Sequence, residues 1–351
     1  MKLSFRTWLS IATFVLILVV LILSRHELLR AWQLMTEVNL WILALIIPVV
    51  LLNYYATGEM IFSYLRGKKM IDHVSPLEQM RMSLEMNFVN HVLPSGGASG
   101  VSYMTWRLSK HGVLGSRAIM AQAVRFVAGF AAFSLLLVIA VVIVTIDSGV
   151  NRSIILVSST LVSLMVAGTV IGIYLIKDVR RVRKASARLT GLVNRVVRKV
   201  TFGKKKRVLR EKDTEAFLVD MHEDYLELKR DRRVLIRPFV WAIIFTCTDV
   251  AMYFISFWAL GTIVNPAPIL IAYGLATIAG FAVITPGGSG AYEALMVGFL
   301  VVAGLGQGTA IAGVLLTRVI VLVIIIVIGY IFYQHSLVKY GKHGQSDIQR
   351  Q

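Results

Sequence analysis

The chain has 351 residues, of which 57% are hydrophobic and 16% charged, and its mean hydropathy is +0.73. That is too apolar for a soluble domain, and the sparse charge and single cysteine, Cys247, exclude a disordered chain, a coiled coil and a disulfide scaffold. The 37 Lys+Arg against 19 Asp+Glu leave a net charge of +18, which admits either nucleic acid or an anionic membrane surface as partner.

Trp8 to Ser24 forms the first apolar block, preceded by Lys2 and Arg6. Its flank Ser24-Arg25-His26-Glu27 offers no small-residue cleavage site, so the block reads as an uncleaved helix. Further blocks cover Leu40–Leu65, Ala118–Ile146, Ile154–Ile176, Pro238–Val264 and Ala310–Tyr333. Each exceeds the roughly 20 residues that cross about 30 Å of hydrocarbon. Period-2 alternation is missing, so the spans are helices and not barrel strands. The expected fold is an all-α polytopic membrane protein with six full spans.

Two stretches do not fit as simple spans, although hydropathy alone would count them and give eight. Residues 82–106 contain Leu93-Pro94-Ser95-Gly96-Gly97-Ala98-Ser99-Gly100, and residues 269–303 contain Thr285-Pro286-Gly287-Gly288-Ser289-Gly290. Proline followed by a glycine cluster ends a helix, and in hydrocarbon such a break survives only inside protein or beside a wet cavity. The alternative is a short interfacial turn between two spans.

Positive charge sets the expected orientation. Lys2 and Arg6 place the N-terminus in the cytoplasm, and Arg66-Gly67-Lys68-Lys69 and the Arg107, Lys110, Arg117 group mark cytoplasmic loops. Both flanks of 82–106 are therefore basic, so this segment dips in from the cytoplasm and returns. Residues 177–237 are the most basic stretch, with 20 Lys+Arg against nine Asp+Glu. The next span exits at Asn265-Pro266-Ala267-Pro268, 269–303 starts and ends outside, and the last span brings the C-terminus back to the cytoplasm. The expected division is a membrane half over 1–176, a basic cytoplasmic segment over 177–237, a second membrane half over 238–335 and a tail over 336–351.

This order is an inverted repeat: span, broken segment and span recur with all directions reversed. Arg125 lies 31 residues after Pro94, and Arg318 lies 32 residues after Pro286. Paired Pro/Gly interruptions in inverted halves are a transporter pattern and point to the substrate site.

Asn90-His-Val-Leu93-Pro94-Ser-Gly96-Gly97-Ala-Ser-Gly100 and Pro286-Gly287-Gly288-Ser289-Gly290-Ala-Tyr-Glu293, with the spans that follow, resemble the flippase-like family named for the transmembrane region of lysylphosphatidylglycerol synthase. The resemblance covers nearly the whole chain, and the Pro-Gly-Gly-x-Gly-x-x-Glu run is its more specific part. In the first half the sequence departs from the common pattern. Ser99, Val101 and Ser102 stand where an acidic residue often follows the glycines, and Arg125 lacks the acidic neighbours often found beside it. The resemblance implies movement of an aminoacylated or glycosylated lipid between leaflets. Nothing after Tyr333 is long enough for the synthase's aminoacyl-transferase domain, so lysyl transfer is not expected.

Charges at membrane depth cost roughly 2.5–3.5 kcal/mol each on insertion scales, so each needs a reason. Arg125 and Arg318 are candidates to hold a phosphate, because a guanidinium stays protonated and offers a planar fork. Glu293, Asp249, Glu85 and Asn90 are the accompanying polar candidates, with acids placed to compete for the arginines or to couple transport to protons. Pro94, Gly96, Gly97, Gly100, Pro286, Gly287, Gly288 and Gly290 are candidates for the gates, offering backbone N–H groups to an anion. Structural ion pairs, Arg125 with Glu85 or Arg318 with Asp249, are the alternative. Glu59, seven residues before Arg66, reads as an interfacial snorkelling residue. His91 reads as hydrogen-bonded structure.

No His/Cys/carboxylate cluster has metal-ligand spacing, no P-loop occurs, and no cofactor is expected. A membrane-embedded transferase with Glu293 or Asp249 as general base stays open, as does a non-transporting scaffold. Residues 179–200 place apolar side chains at helical spacing among arginines, which suits a helix lying on anionic lipid. No aromatic interleaving supports nucleic-acid binding. The expectation is an inner-membrane protein that moves an anionic lipid between leaflets. Its oligomeric state is not written in the sequence.

Overall fold

A computed structural model describes residues 38–93, 98–146, 232–282 and 290–340, together with Ile22, Leu29 and isolated positions between 156 and 219. The described residues outside turns are helical, and no strand occurs among them. Two compact units are present: 1–159 with 237–351, and 160–236. In the second, Asp178 pairs with Arg181 at 3.5 Å, and Arg232–Leu235 forms a 3-10 turn.

In the first unit, α1 (Leu40–Ala44) is capped by Asn39, whose side chain accepts from the Trp41 and Ile42 amides. It leads into α2 (Ile46–Gly67). Ser75 caps α3 (Pro76–Val92), with proline in the first turn where its missing N–H costs nothing. Then come α4 (Ala98–Ser109) and α5 (Gly115–Ile146), and after residue 235 α6 (Ile236–Ala259), α7 (Pro266–Ala282), α8 (Ala291–Val302) and α9 (Gln307–Tyr340). Among the described residues four stretches are long and apolar enough to cross a membrane: Leu40–Gly67, Gly115–Ile146, Arg233–Ala259 and Gln307–Tyr340. They correspond to four of the six expected spans. The blocks at 8–24 and 154–176 lie outside the described residues apart from isolated positions.

Helix lengths repeat between the halves. The series α2, α3, α4, α5 has 22, 17, 12 and 32 residues, and α6, α7, α8, α9 has 24, 17, 12 and 34. At about 1.5 Å per residue a 12-residue helix reaches only about 18 Å, well short of a bilayer core. In α3 and α4 the partners run antiparallel: Asn90 meets Gly100, and Glu78 and Glu85 meet Arg107. The start of α3 and the end of α4 therefore share one end of the bundle. The ends of α2 and α9 join them through Arg66 on Gln79 and Tyr340 under Arg107. The α7–α8 pair has both its outer ends at the opposite end, because α7 follows α6 and α8 precedes α9 through short turns at 260–265 and 303–306.

Small residues bring the helices close. A Cβ on Gly58 would stand 2.9 Å from the Ser83 hydroxyl, one on Gly313 would stand 2.2 Å from the Phe257 ring, and one on Gly329 would stand 2.5 Å from the Phe88 Cβ. Phe88 also packs on Tyr333, with ring centroids 5.4 Å apart, in the apolar core that joins α2, α3, α6 and α9. This use of glycine suits helices that gain little from leaving lipid and associate by close packing.

Candidate functional site

The basic end of the bundle holds a buried ionic network. Glu85 and Arg107 are each 0% exposed. The Arg107 Nε donates to Glu85 at 2.7 Å and its Nη2 to Glu78 at 2.6 Å. The Glu85 carboxylate also accepts the Tyr103 hydroxyl at 2.9 Å and the Ser336 hydroxyl from α9, and Arg81 stands 3.5 Å away. Tyr340 covers the Arg107 guanidinium at 4.5 Å, a cation–π contact. Burial alone would raise the Glu78 carboxyl, but the hydrogen bond and charge of Arg107, with Arg81 and Lys339, carry it below its ordinary value. Nearby His111 is pushed below its ordinary value by burial and by the Arg107 charge.

Glu85 is therefore neutralised within its own hairpin by Arg107 and not by Arg125. Arg107 is a core residue and not a loop charge. It lies three residues before Lys110, so the run reads as a basic loop. The signal that finds it is Glu78 and Glu85, seven residues apart on one helix face. Glu59 likewise is buried, paired with Arg66, which also donates to Gln79.

At the middle of α6, Asp249 is held by neutral donors. Asn53 of α2 donates to its Oδ1 at 3.0 Å and Tyr273 of α7 to its Oδ2 at 2.6 Å. Asn53 also donates to the Thr248 hydroxyl at 2.9 Å. One turn further along α6, the Tyr253 hydroxyl meets the Tyr292 hydroxyl at 3.1 Å. The Tyr292 ring lies 4.5 Å beneath the Arg318 guanidinium. Arg318 Nε donates to Glu293 Oε1 at 2.8 Å, and Glu293 Oε2 accepts the Gly290 amide at 2.6 Å. Gly290 precedes α8 at φ +93°, a conformation that glycine takes without strain. Arg318 thus pairs with Glu293 and not with Asp249. Its charge reaches the His91 ring at the tip of α3, whose Nδ1 is bonded to the Asn87 carbonyl at 2.9 Å.

Arg125 contrasts with Arg107 and Arg318, which pair with acids. It lies in the first half of α5, and its Nε is buried without a hydrogen-bond partner. Its guanidinium rests 4.4 Å from the Phe126 ring, and no acid pairs with it among the described residues. One turn before it, Gln122 donates to the Val101 carbonyl at 3.0 Å and to Thr105, so this face of α5 is turned to α4.

The breaks themselves are only partly described. Asn90 accepts the Gly100 amide at 2.8 Å, tying the two sides of the first break together. A Cβ on Gly100 would fall 2.3 Å from that amide group. Pro94, Gly96, Gly97, Pro286, Gly287 and Gly288 lie outside the described residues. An apolar groove of about 400 Å³ opens between α5, α6 and α7, lined by Leu136, Ile143, Cys247, Val250, Phe254 and Leu270. Its lining residues Val250 and Leu270 lie one to three positions from Asp249 and Tyr273. Among the described residues no group of three or more His, Cys, Asp or Glu could hold a metal ion.

A family model described as the lysylphosphatidylglycerol synthase TM region matches residues 7–329. No curated protein and no solved structure gives a significant match.

Proposed function

We propose that this chain, which belongs to the lysylphosphatidylglycerol synthase TM-region family, is a carrier that moves an anionic, phosphate-bearing lipid between the leaflets of the inner membrane. The family and the four long apolar helices make it a multi-pass membrane protein connected with lipid. The flippase activity is our reading of its polar interior.

The observation that carries it is Arg125. An arginine in a membrane-length helix, with its Nε buried and no acid beside it among the described residues, holds a charge that these residues leave uncompensated. A phosphate would offset that charge with bidentate, charge-assisted hydrogen bonds. Arg318 is the second cation, Asp249 and Glu85 position the surrounding helices, and Asn90 holds the first break closed. The α3–α4 and α7–α8 pairs, entering from opposite ends, would act as re-entrant gates whose Pro/Gly breaks meet the headgroup. The positive charge of Arg66, Lys110 and Lys339 supports a cytoplasmic side for their end of the bundle, and that of Lys2, Arg6 and Lys342 supports the same side for both termini. Residues 177–237 would then lie on anionic headgroups of the same leaflet.

The test is leaflet exchange of fluorescent phosphatidylglycerol in proteoliposomes, read by dithionite quenching. The Arg125→Ala, Arg318→Ala double variant is expected to lose exchange at unchanged incorporation. Exchange at the wild-type rate would overturn the proposal.

A further inference from the structure

Glu293 is held by the two kinds of donor that suit a phosphate. One carboxylate oxygen takes a backbone N–H at the start of α8, and the other takes the Nε of a guanidinium. Helix N-termini and arginine forks are the general anion-binding groups of proteins. Here both donors converge on a single side chain that carries one negative charge on two oxygens. Its place in the first turn of α8 already satisfies the Gly290 amide as a helix cap, which needs one oxygen only. The second oxygen is spent on Arg318, and the ring of Tyr292 closes the cation from the other side. The side chains are not sealed in: that of Arg318 is 24% exposed and that of Glu293 11%.

We infer that Glu293 is an internal substitute for the transported anion: its carboxylate occupies the phosphate position on Gly290 N–H and Arg318, and the arriving phosphate displaces it. This inference rests on Arg318 being an anion site, and it changes the part of Glu293 from ligand contact to competitor. The contrast with Arg125 gives the physical reason. A carrier that must also cross its cycle empty cannot leave two bare cations in a medium of low dielectric constant. Arg125 remains open to capture a headgroup, whereas Arg318 is neutralised until one arrives. Displacement needs only a rotation of the Glu293 side chain, after which its carboxylate is the group that later competes the phosphate off.

The experiment measures binding to the full-length protein in nanodiscs, by ligand-dependent shift of thermal unfolding. The probes are inorganic phosphate and dihexanoylphosphatidylglycerol. Glu293→Gln keeps an oxygen for the Gly290 amide and removes the charge. It is expected to bind the phosphate group about tenfold tighter, the scale of one displaced charge-assisted hydrogen bond, and to slow lipid exchange through late release. A gain for dihexanoylphosphatidylglycerol identifies a lipid headgroup, and a gain for inorganic phosphate alone identifies the free ion; either supports substitution. Unchanged or weaker binding of both probes by Glu293→Gln overturns it. Arg318→Gln, made in an Arg125→Ala background so that binding at Arg125 does not contribute, separates the two readings. If it abolishes binding while Glu293→Gln leaves affinity unaltered, only the substitute role falls; if binding survives it, the anion site itself falls. The wild-type chain labelled with carboxylate-13C glutamate provides a measurement free of folding defects. Adding phosphate is expected to shift one carboxylate stretching band in the difference infrared spectrum, and a flat difference spectrum refutes displacement.

Discussion

Removing Arg107 is the sharpest probe of what holds the first hairpin to the bundle. Arg107→Ala deletes the 2.7 Å and 2.6 Å hydrogen bonds to Glu85 and Glu78 and the guanidinium face on Tyr340. It leaves Glu85 fully buried, with two hydroxyl donors and a cation 3.5 Å away in Arg81. Stranding one member of a buried ion pair costs about 3–5 kcal/mol, and partial compensation by Arg81 puts the expectation near 3. Against a total stability of about 5–15 kcal/mol, that loss is severe. Glu85→Gln is expected to cost less, about 1–3 kcal/mol, because Arg107 keeps Glu78. The double variant Glu85→Met, Arg107→Met strands no fully buried charge, since Glu78 is partly exposed and keeps Arg81 at 3.7 Å, and it is expected to recover most of the loss. Unfolding in mixed micelles by sodium dodecyl sulfate, followed by circular dichroism, gives the three free energies. If Arg107→Ala costs under about 1 kcal/mol, the pair is solvated and a dry network at this end is refuted.

Acidification tests the same end of the molecule. Glu78 sits below its ordinary 4.5, so its stabilisation is complete above pH 4.5 and is lost as pH falls through the lower folded value. His111 sits below its ordinary 6.5, so its neutral form favours folding above pH 6.5 and stability declines as pH falls beneath that. Thermal midpoints in detergent should therefore drop in two stages as pH falls, the first beginning below pH 6.5 and the second below pH 4.5, and His111→Gln should remove the first stage alone. Gly100→Ala is expected to cost about 1–3 kcal/mol by overpacking against Asn90, and Asn90→Ala in the same chain should relieve part of it; strict additivity would be inconsistent with the contact. Cys247 lines the apolar groove, so a bilayer-soluble maleimide should label it faster than a charged one, and Ala251→Trp should slow that reaction. Equal rates would place the thiol in water.

Much of the architecture is legible in the residues, because hydrocarbon thickness and Pro/Gly chemistry act locally. Long apolar runs around 40–65, 118–146, 238–264 and 310–333 are long helices, and the two Pro/Gly clusters each separate a 17-residue from a 12-residue helix. The beginning of α8 just before Glu293 is likewise local, since the Glu293 carboxylate caps the Gly290 amide three residues back. Pairing is not local. That Glu85 chooses Arg107 over Arg125 depends on the register of an antiparallel hairpin, and that Asp249 is held by Asn53 depends on a contact 196 residues apart. The tyrosines at 253, 273 and 292 carry no charge and no spacing that marks them in the sequence, yet their hydroxyls satisfy the polar seam.

The two hairpins have the same lengths but are held differently. The tenth residues of α3 and α4 are Glu85 and Arg107; the tenth residues of α7 and α8 are Leu275 and Leu300. Two leucines resist wetting, since exposing them to water is unfavourable. A salt-bridged pair is tolerant of wetting, because water solvates each ion as the partner leaves. Water can therefore take over the partners of Glu85 and Arg107 as their helices part, whereas it offers nothing to Leu275 and Leu300. The two hairpins thus part at this layer by different means: separating the first hands two ions to water, and separating the second uncovers apolar surface.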